Sequence, residues 1–220
     1  MPDPLDESEA LRAIGAATLA HYSRFADAYR EATGDHDVRQ NIDALLGAIE
    51  GEPPYRILDL GCGPGRDLIA FRALGHQPIG LDGSPEFVQM ARAASGAEVW
   101  QQDMLALDLP ARRFDGVFAN AVLFHVPSRA LPRVLGDLRA TLEPRGALFC
   151  SNPRGRNEEG FADERYACFY DLARWCRLVS RAGFELLDHY YRPTGKPRHR
   201  QPWLATVWRK GGAENRGAAS

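Results

Sequence analysis

In the segment Ile57–Asp67, ILDLGCGPGRD, an apolar run stops at three glycines on alternate positions, Gly61, Gly63 and Gly65, followed by Arg66 and Asp67. Glycines at the end of a strand let the backbone turn sharply and approach a ligand with no Cβ in the way. If a helix opens there, its free N–H groups and partial positive charge suit a phosphate or a carboxylate. Some distance on, the run IGLDGS ends in Asp82, Gly83 and Ser84. An acid at about twenty residues from such a turn is placed to accept hydrogen bonds from a ribose diol. A triphosphate loop requires Lys-Ser or Lys-Thr after the glycines, and none follows. A dinucleotide turn requires G-x-G-x-x-G, and Arg66 stands at its third glycine position, against close helix–strand packing there. What remains is a nucleoside carrying an amino acid, or a tight turn that binds nothing.

The elements that must position these residues can be read from patterning. Apolar residues recur at helical spacing from Ala10 to Tyr29 and again from Val38 to Ile49, with ATGDHD between them. From Arg56 the texture changes to alternation. RILDLG, QPIGLD, AEVWQQD, FDGVFAN and GALFCSN read as strands. RDLIAFRALG, SPEFVQMARAA, SRALPRVLGDLRATL and YACFYDLARWCRLVSRAG read as helices. Ser84 is a natural N-cap with Pro85 at the first helical position, and Pro132 falls in a first turn. FELLDHYY and WLATVWRK follow as two consecutive strands. Strands alternating with helices imply a doubly wound, mainly parallel sheet, and the final pair implies an antiparallel edge. Ligands of such sheets sit at the carboxyl ends of the strands, where the glycine turn falls.

The totals set limits. The chain has 220 residues, enough for one domain with a full core. Lys plus Arg number 27 and Asp plus Glu 29, a net charge of -2 without the basic surplus usual in a nucleic-acid binder. The one basic stretch, HYYRPTGKPRHRQPWLATVWRK, interleaves aromatics with cations, as RNA-binding surfaces do. Tyr190, Trp203 and Trp208 fall in the two predicted strands, so core packing explains them better. Cys62, Cys150, Cys168 and Cys176 form no CxxC pair, so a zinc ribbon is not expected, and no metal site is. No apolar stretch approaches membrane-spanning length, and the N-terminus is acidic rather than signal-like. The expectation is a cytoplasmic protein. One domain spans 1–210, with helices over 10–50, a core over 55–210 and a disordered tail over 211–220.

LDLGCGPGRD, IGLDGSPEFVQMAR and VWQQDMLALDLPARRFDGVFANAVLFHVP, in this order and spacing, resemble the motifs of class I S-adenosylmethionine-dependent methyltransferases. The resemblance is close from Tyr55 to Cys150 and looser to Lys210. It implies a Rossmann-like seven-stranded sheet, mainly parallel with an antiparallel last strand, an N-terminal helical lid, and S-adenosyl-L-methionine as cofactor. It further implies roles. Gly61, Cys62, Gly63 and Gly65 would line the methionine part. Asp82 would hold the ribose hydroxyls, with Gly83 and Ser84 beside it. Gln102, Asp103 and Met104 would meet the adenine, and Asn120 and Ala121 would face the methionine. Arg66 would either approach the cofactor carboxylate or pair locally with Asp67.

The segment NAVLFHVP lacks the Asn/Asp-Pro-Pro-Tyr motif of base and glutamine methyltransferases and is similar to the small-molecule branch. His125 would then be a base near the transferred methyl, or would pack under the loop, and Phe124 beside it would contact the acceptor. Asn152 and Arg154 follow the fifth strand at the edge where an acceptor would lie. Arg154 is either a carboxylate clamp or a solvated loop residue. Tyr22, Tyr29, His36 and Asp37 would face the acceptor if the N-terminal helices form a lid, and Arg192 would overhang it. These residues point to a small polar acceptor, with methylation of an amino-acid-like nitrogen, an imidazole among the candidates, as the leading version. The alternatives are oxygen or carbon methylation of a quinone-pathway or natural-product acceptor, and a non-catalytic cofactor-binding module. Oligomeric state is not legible.

Overall fold

In the computed structural model, residues 4–212 are described. The first three residues and most of the expected tail therefore lie outside the described residues. Three helices lead, α1 (Pro4–Arg24), α2 (Ala26–Thr33) and α3 (Arg39–Leu46). The alternating section follows as β1 (Arg56–Leu60), α4 (Arg66–Ala73), β2 (Gln77–Asp82), α5 (Pro85–Ser95), β3 (Glu98–Gln101), β4 (Phe114–Asn120), α6 (Leu131–Thr141) and β5 (Leu142–Pro153). Then come β6 (Glu158–Ala162), β7 (Arg165–Phe169), α7 (Leu172–Arg181), β8 (Phe184–Arg192) and β9 (Trp203–Lys210).

The large sheet has seven strands in the order β3-β2-β1-β4-β5-β9-β8. Strands β1 to β5 pair in parallel, and β9 runs antiparallel to both β5 and β8. The order reverses at β1, so the carboxyl ends of β1 and β4 flank the crevice in which open sheets bind ligands. Both faces are covered, which is why the strands read as nearly unbroken apolar runs. Ile57, Phe118 and Phe149 meet Ile42 and Leu45 of α3 and Phe71 of α4 on one face. Leu58, Leu60 and Leu148 meet Val134 and Leu138 of α6 and Trp175 of α7 on the other.

Local chemistry sets the boundaries. The Ser84 hydroxyl accepts from the N–H of Phe87 at 3.3 Å, Pro85 opens α5, and Gly96 closes it at φ 61°. The antiparallel last strand is as expected: β9 pairs antiparallel with both β5 and β8, and β8 is outermost. Two expectations are corrected. The long first helix breaks at Phe25 into α1 and α2. Most consequentially, YACF does not begin a helix. It forms β7, which pairs antiparallel with β6 in a separate hairpin. The helix waits for Asp171, whose carboxylate accepts from the N–H of Arg174 at 2.7 Å and caps α7.

Candidate active site

A cleft of about 720 Å³, open mouth included, lies over the carboxyl ends of β1, β2 and β4. Its floor is the glycine turn, its far wall is the segment from Asp103 to Leu105, and α1 roofs it through Gly15, Thr18, Leu19 and Tyr22. The turn is built on left-handed backbone. Gly61 has φ 68°, and a Cβ there would stand 2.2 Å from Val122 Cγ2. Gly63 has φ 52° and faces the cleft, with only the Tyr29 ring within 3.8 Å of where its Cβ would be. Gly65 packs on Ala91 of α5, where a Cβ would come within 2.8 Å of Cα. That close packing is the task of the third glycine in a dinucleotide turn, moved here by one position.

Asp82 is buried, and its two carboxylate oxygens accept from the backbone N–H groups of Gly63 at 2.9 Å and Ser84 at 2.9 Å. Burial raises its pKa, against those hydrogen bonds, which lower it. It sits where a buried acid can meet a diol. Asp103 caps the short 3-10 turn after β3 by accepting from Leu105 N–H at 2.8 Å. A Cβ on Gly15 of α1 would lie 3.1 Å from the other Asp103 oxygen, so the roof touches this wall. Met104, Gly83 and Ala121 also line the cleft, Ala121 at φ 62°.

Several expected cofactor residues serve behind this surface instead. Arg66 clasps both oxygens of Asp67 at 2.7 and 3.0 Å and donates to the Thr33 carbonyl at 2.9 Å, so the local pairing is what forms. Cys62 is buried beneath the turn, and burial pushes its thiol far up. Gln102 turns away, exchanging two hydrogen bonds with the Asp108 backbone. Ser84 is fully buried as the cap of α5. Asn120 belongs to a polar chain on the opposite sheet face. Its amide donates to Asp67 at 3.3 Å and its oxygen accepts from Asn41 at 3.0 Å, while the Asn41 oxygen accepts from Tyr190 at 2.9 Å. Asp59, not singled out from the sequence, lies buried by this chain; burial and then Asp67 raise its pKa. The signal for it was an acid inside an otherwise apolar strand.

The inner end of the cleft holds His125 and Tyr22. His125 Nδ1 lies 2.6 Å from the Tyr166 carbonyl, which can only accept, so Nδ1 carries the proton. Nε2 is therefore bare and accepts from the Tyr22 hydroxyl at 2.7 Å. Burial lowers the His125 pKa to about 4, keeping the ring neutral at pH 7. Tyr29 stacks edge-on against Tyr22, 5.5 Å between centroids, and burial pushes its hydroxyl up to about 12. Phe124 backs His125 with ring centroids 4.0 Å apart and does not line the cleft.

The remaining acceptor candidates lie elsewhere. Arg154 is exposed, and its Nη1 donates to the carbonyls of Arg198 and Gln201 at 3.0 and 2.8 Å. His36 and Asp37 are exposed between α2 and α3. The Asp37 side chain accepts from Arg39 N–H, and its carbonyl accepts from Arg192 at 2.6 Å. Asn152 is buried with neither end of its amide hydrogen-bonded. In their stead β7 brings Arg165 beside Tyr22, guanidinium carbon 5.8 Å from the ring centre. The helical pattern of YACF gives no signal for Arg165 or the Tyr166 carbonyl, which the β6–β7 hairpin brings here. Among the described residues no cluster of His, Cys, Asp or Glu could hold a metal ion, and no helix is long and apolar enough to cross a membrane.

Comparison with known proteins agrees with this geometry. A family profile described as methyltransferase domain matches residues 28–189. Trans-aconitate 2-methyltransferase of Azoarcus sp. strain BH72 is 34% identical over 141 residues, 62% of this chain and 51% of that protein. Ubiquinone biosynthesis O-methyltransferase of Xanthomonas campestris pv. campestris is 33% identical over 163 residues, 70% of this chain and 62% of that one. The chain thus spans about half the length of the first of these curated relatives. Among solved structures, 1,6-didemethyltoxoflavin-N1-methyltransferase of Burkholderia thailandensis superposes with a TM-score of 0.73 at 22% identity, covering 96% of this chain and 92% of its own. With a glycine turn, a buried acid ending β2 and a β9 wedged antiparallel beside β5, the chain belongs to the class I S-adenosylmethionine-dependent methyltransferase family.

Proposed function

We propose that the protein methylates an oxygen atom of a small acceptor seated beside Tyr22 and His125, using S-adenosylmethionine. The residues present suit that cofactor. Gly63 leaves room at the turn, Asp82 can take a ribose diol, and Leu81, Phe87 and Met104 offer apolar contact to a base. S-adenosylmethionine supplies a methyl carbon already activated on a sulfonium, so the chain must align the acceptor and, for a protonated one, accept its proton. A bound S-adenosylmethionine would give its methyl carbon to the acceptor oxygen's lone pair, the S–C pair staying on sulfur. Tyr22 would relay the proton of a hydroxyl acceptor to His125 Nε2.

The observation that carries this reading is the neutral His125 with its bare nitrogen on the Tyr22 hydroxyl, 2.7 Å apart at the cleft. An amino-acid-like nitrogen acceptor leaned on Arg154, His36 and Asp37, none of which lines the cleft. The relative named as an O-methyltransferase supports oxygen instead. Four free thiols support a reducing, cytoplasmic setting for this chemistry.

The test begins with a thermal shift in S-adenosylhomocysteine, with NAD as control. A ligand at 100 times its Kd stabilises by about 2.7 kcal/mol. A shift with S-adenosylhomocysteine alone, followed by transfer of labelled methyl to an acid- or hydroxyl-bearing metabolite, is the expected result. A shift with NAD alone would overturn the reading. Binding without transfer to any acceptor of a metabolite extract would make the chain a cofactor-holding module.

A further inference from the structure

Beside the roof of the cleft stands a cation that nothing in the protein neutralises. Arg165 opens β7, and its Nε–H is buried with no hydrogen-bond partner. No carboxylate among the described residues pairs with it; its guanidinium faces the Tyr22 ring and hydroxyl. Other arginines near the cleft are engaged: Arg24 holds Glu164 at 3.1 Å, Arg66 holds Asp67, and Arg154 holds two carbonyls. A buried donor left without an acceptor is unfavourable, and such groups usually mark a missing water, ion or ligand.

Charge along the cleft is divided. The glycine turn carries Asp82 and the far wall Asp103. These acids suit a ligand bearing a sulfonium and an ammonium. The inner end is lined by Tyr22 and the neutral His125; Arg165 stands behind this wall, 5.8 Å from the Tyr22 ring centre, and the nearby carboxylate of Glu164 is drawn outward onto His21 and Arg24. Carboxylates at the glycine turn and far wall, with an unpaired cation behind Tyr22, are complementary to a cationic donor and an anionic acceptor.

We propose that Arg165 selects the acceptor, receiving the carboxylate of a small organic acid whose reacting oxygen lies beside the Tyr22 hydroxyl and His125 Nε2. This rests on the methyltransferase reading above and narrows its substrate class. The guanidinium fork matches a carboxylate with two parallel hydrogen bonds, and Nε–H is one of its prongs. The hairpin sets the address: Tyr166 N–H donates to Thr18 of α1 at 3.1 Å, and the Tyr166 carbonyl fixes His125. Arg165 is therefore held in register with the base.

The test is calorimetric titration of the full chain loaded with S-adenosylhomocysteine. The probes are benzoate, succinate and trans-aconitate, each against its methyl ester, which keeps the skeleton and removes the charge. At least one acid should bind at least tenfold more tightly than its ester. Arg165→Gln should lose on the order of tenfold to a hundredfold of that affinity. Arg165→Lys should retain part of it, Arg154→Gln all of it, and S-adenosylhomocysteine affinity should be unchanged in each. Circular dichroism establishes that each variant is folded, and Arg165→Lys keeps the test valid if the Gln variant is not. Saturable binding of no acid, equal binding of acid and ester, or acid affinity that survives Arg165→Gln would overturn the proposal while leaving the methyltransferase reading intact. Failure of S-adenosylhomocysteine to bind the wild type would overturn both.

Discussion

His125 is held neutral by burial, and that has a cost that depends on pH. Its pKa is about 4 in the folded chain and ~6.5 in the unfolded chain. Between those values the unfolded state binds the extra proton, so stability falls as pH drops from about 6.5 to 4. The loss attributable to this ring approaches ~3 kcal/mol at the bottom of the window. His125→Asn keeps a donor for the Tyr166 carbonyl and cannot titrate. Urea unfolding at pH 7 and at pH 4.5 should show a smaller acid-induced loss for the variant than for wild type. Asp82 gives a second residue-scale prediction. Asp82→Asn offers one acceptor to two N–H groups, so it should cost about 1–3 kcal/mol and weaken S-adenosylhomocysteine binding in the same protein. Residues carried by short motifs were legible in the sequence: Gly61, Gly63, Asp82, Asp103 and His125 all reach the cleft. Arg154 was not, because a side chain as long as arginine takes its partners from a loop far along the chain, here the carbonyls of Arg198 and Gln201.

At the scale of elements, the roof is set by how closely α1 approaches the far wall. A Cβ added at Gly15 would stand 3.1 Å from Asp103 Oδ2 and Leu105 Cδ1. Gly15→Val should push α1 off that wall, weakening S-adenosylhomocysteine binding by calorimetry. Its thermal stability should change little, since Val and Gly differ modestly in helix propensity. A wild-type affinity in that variant would mean the roof does not govern entry. Strands β2 and β4 and the cap of α5 were readable to the residue, because each is bounded by strong local signals. The β6–β7 hairpin was not. Its outer strand has exposed and half-buried positions and little apolar alternation, and RYACF continues without a break into the helix that Asp171 caps. Its strand form is fixed by tertiary partners, Thr18 on α1 and the segment around Val126 and His125. Arg165 and the Tyr166 carbonyl are illegible in the sequence for the same reason.

At the scale of the whole molecule, the sheet was legible as a class, antiparallel last strand included, but not in the order of its final pair. Two consecutive β patterns indicate an antiparallel pair but do not say which of the two lies inside. Packing decides it. WLATVWRK is buried along nearly its whole length, whereas β8 has five consecutive exposed residues, Glu185 to His189. Trp175 of α7 donates its indole N–H to Thr206 at 3.0 Å, locking β9 to the helix above it. Because β9 sits between β5 and β8, β8 has no other strand to join. Until residues 203–210 arrive, β5 keeps an unpaired hydrogen-bonding edge, and an edge of that kind is a template for pairing with other chains. A chain cut after Arg200 should therefore not lose one strand but two, and should self-associate rather than stay monodisperse in light scattering. The same wedge makes the order of assembly matter. The inner half of the sheet, with its glycine turn, can form from nearby segments, but the sheet becomes sealed only when its most distant strand slides in, so closure by β9 is the slow, aggregation-exposed event of folding.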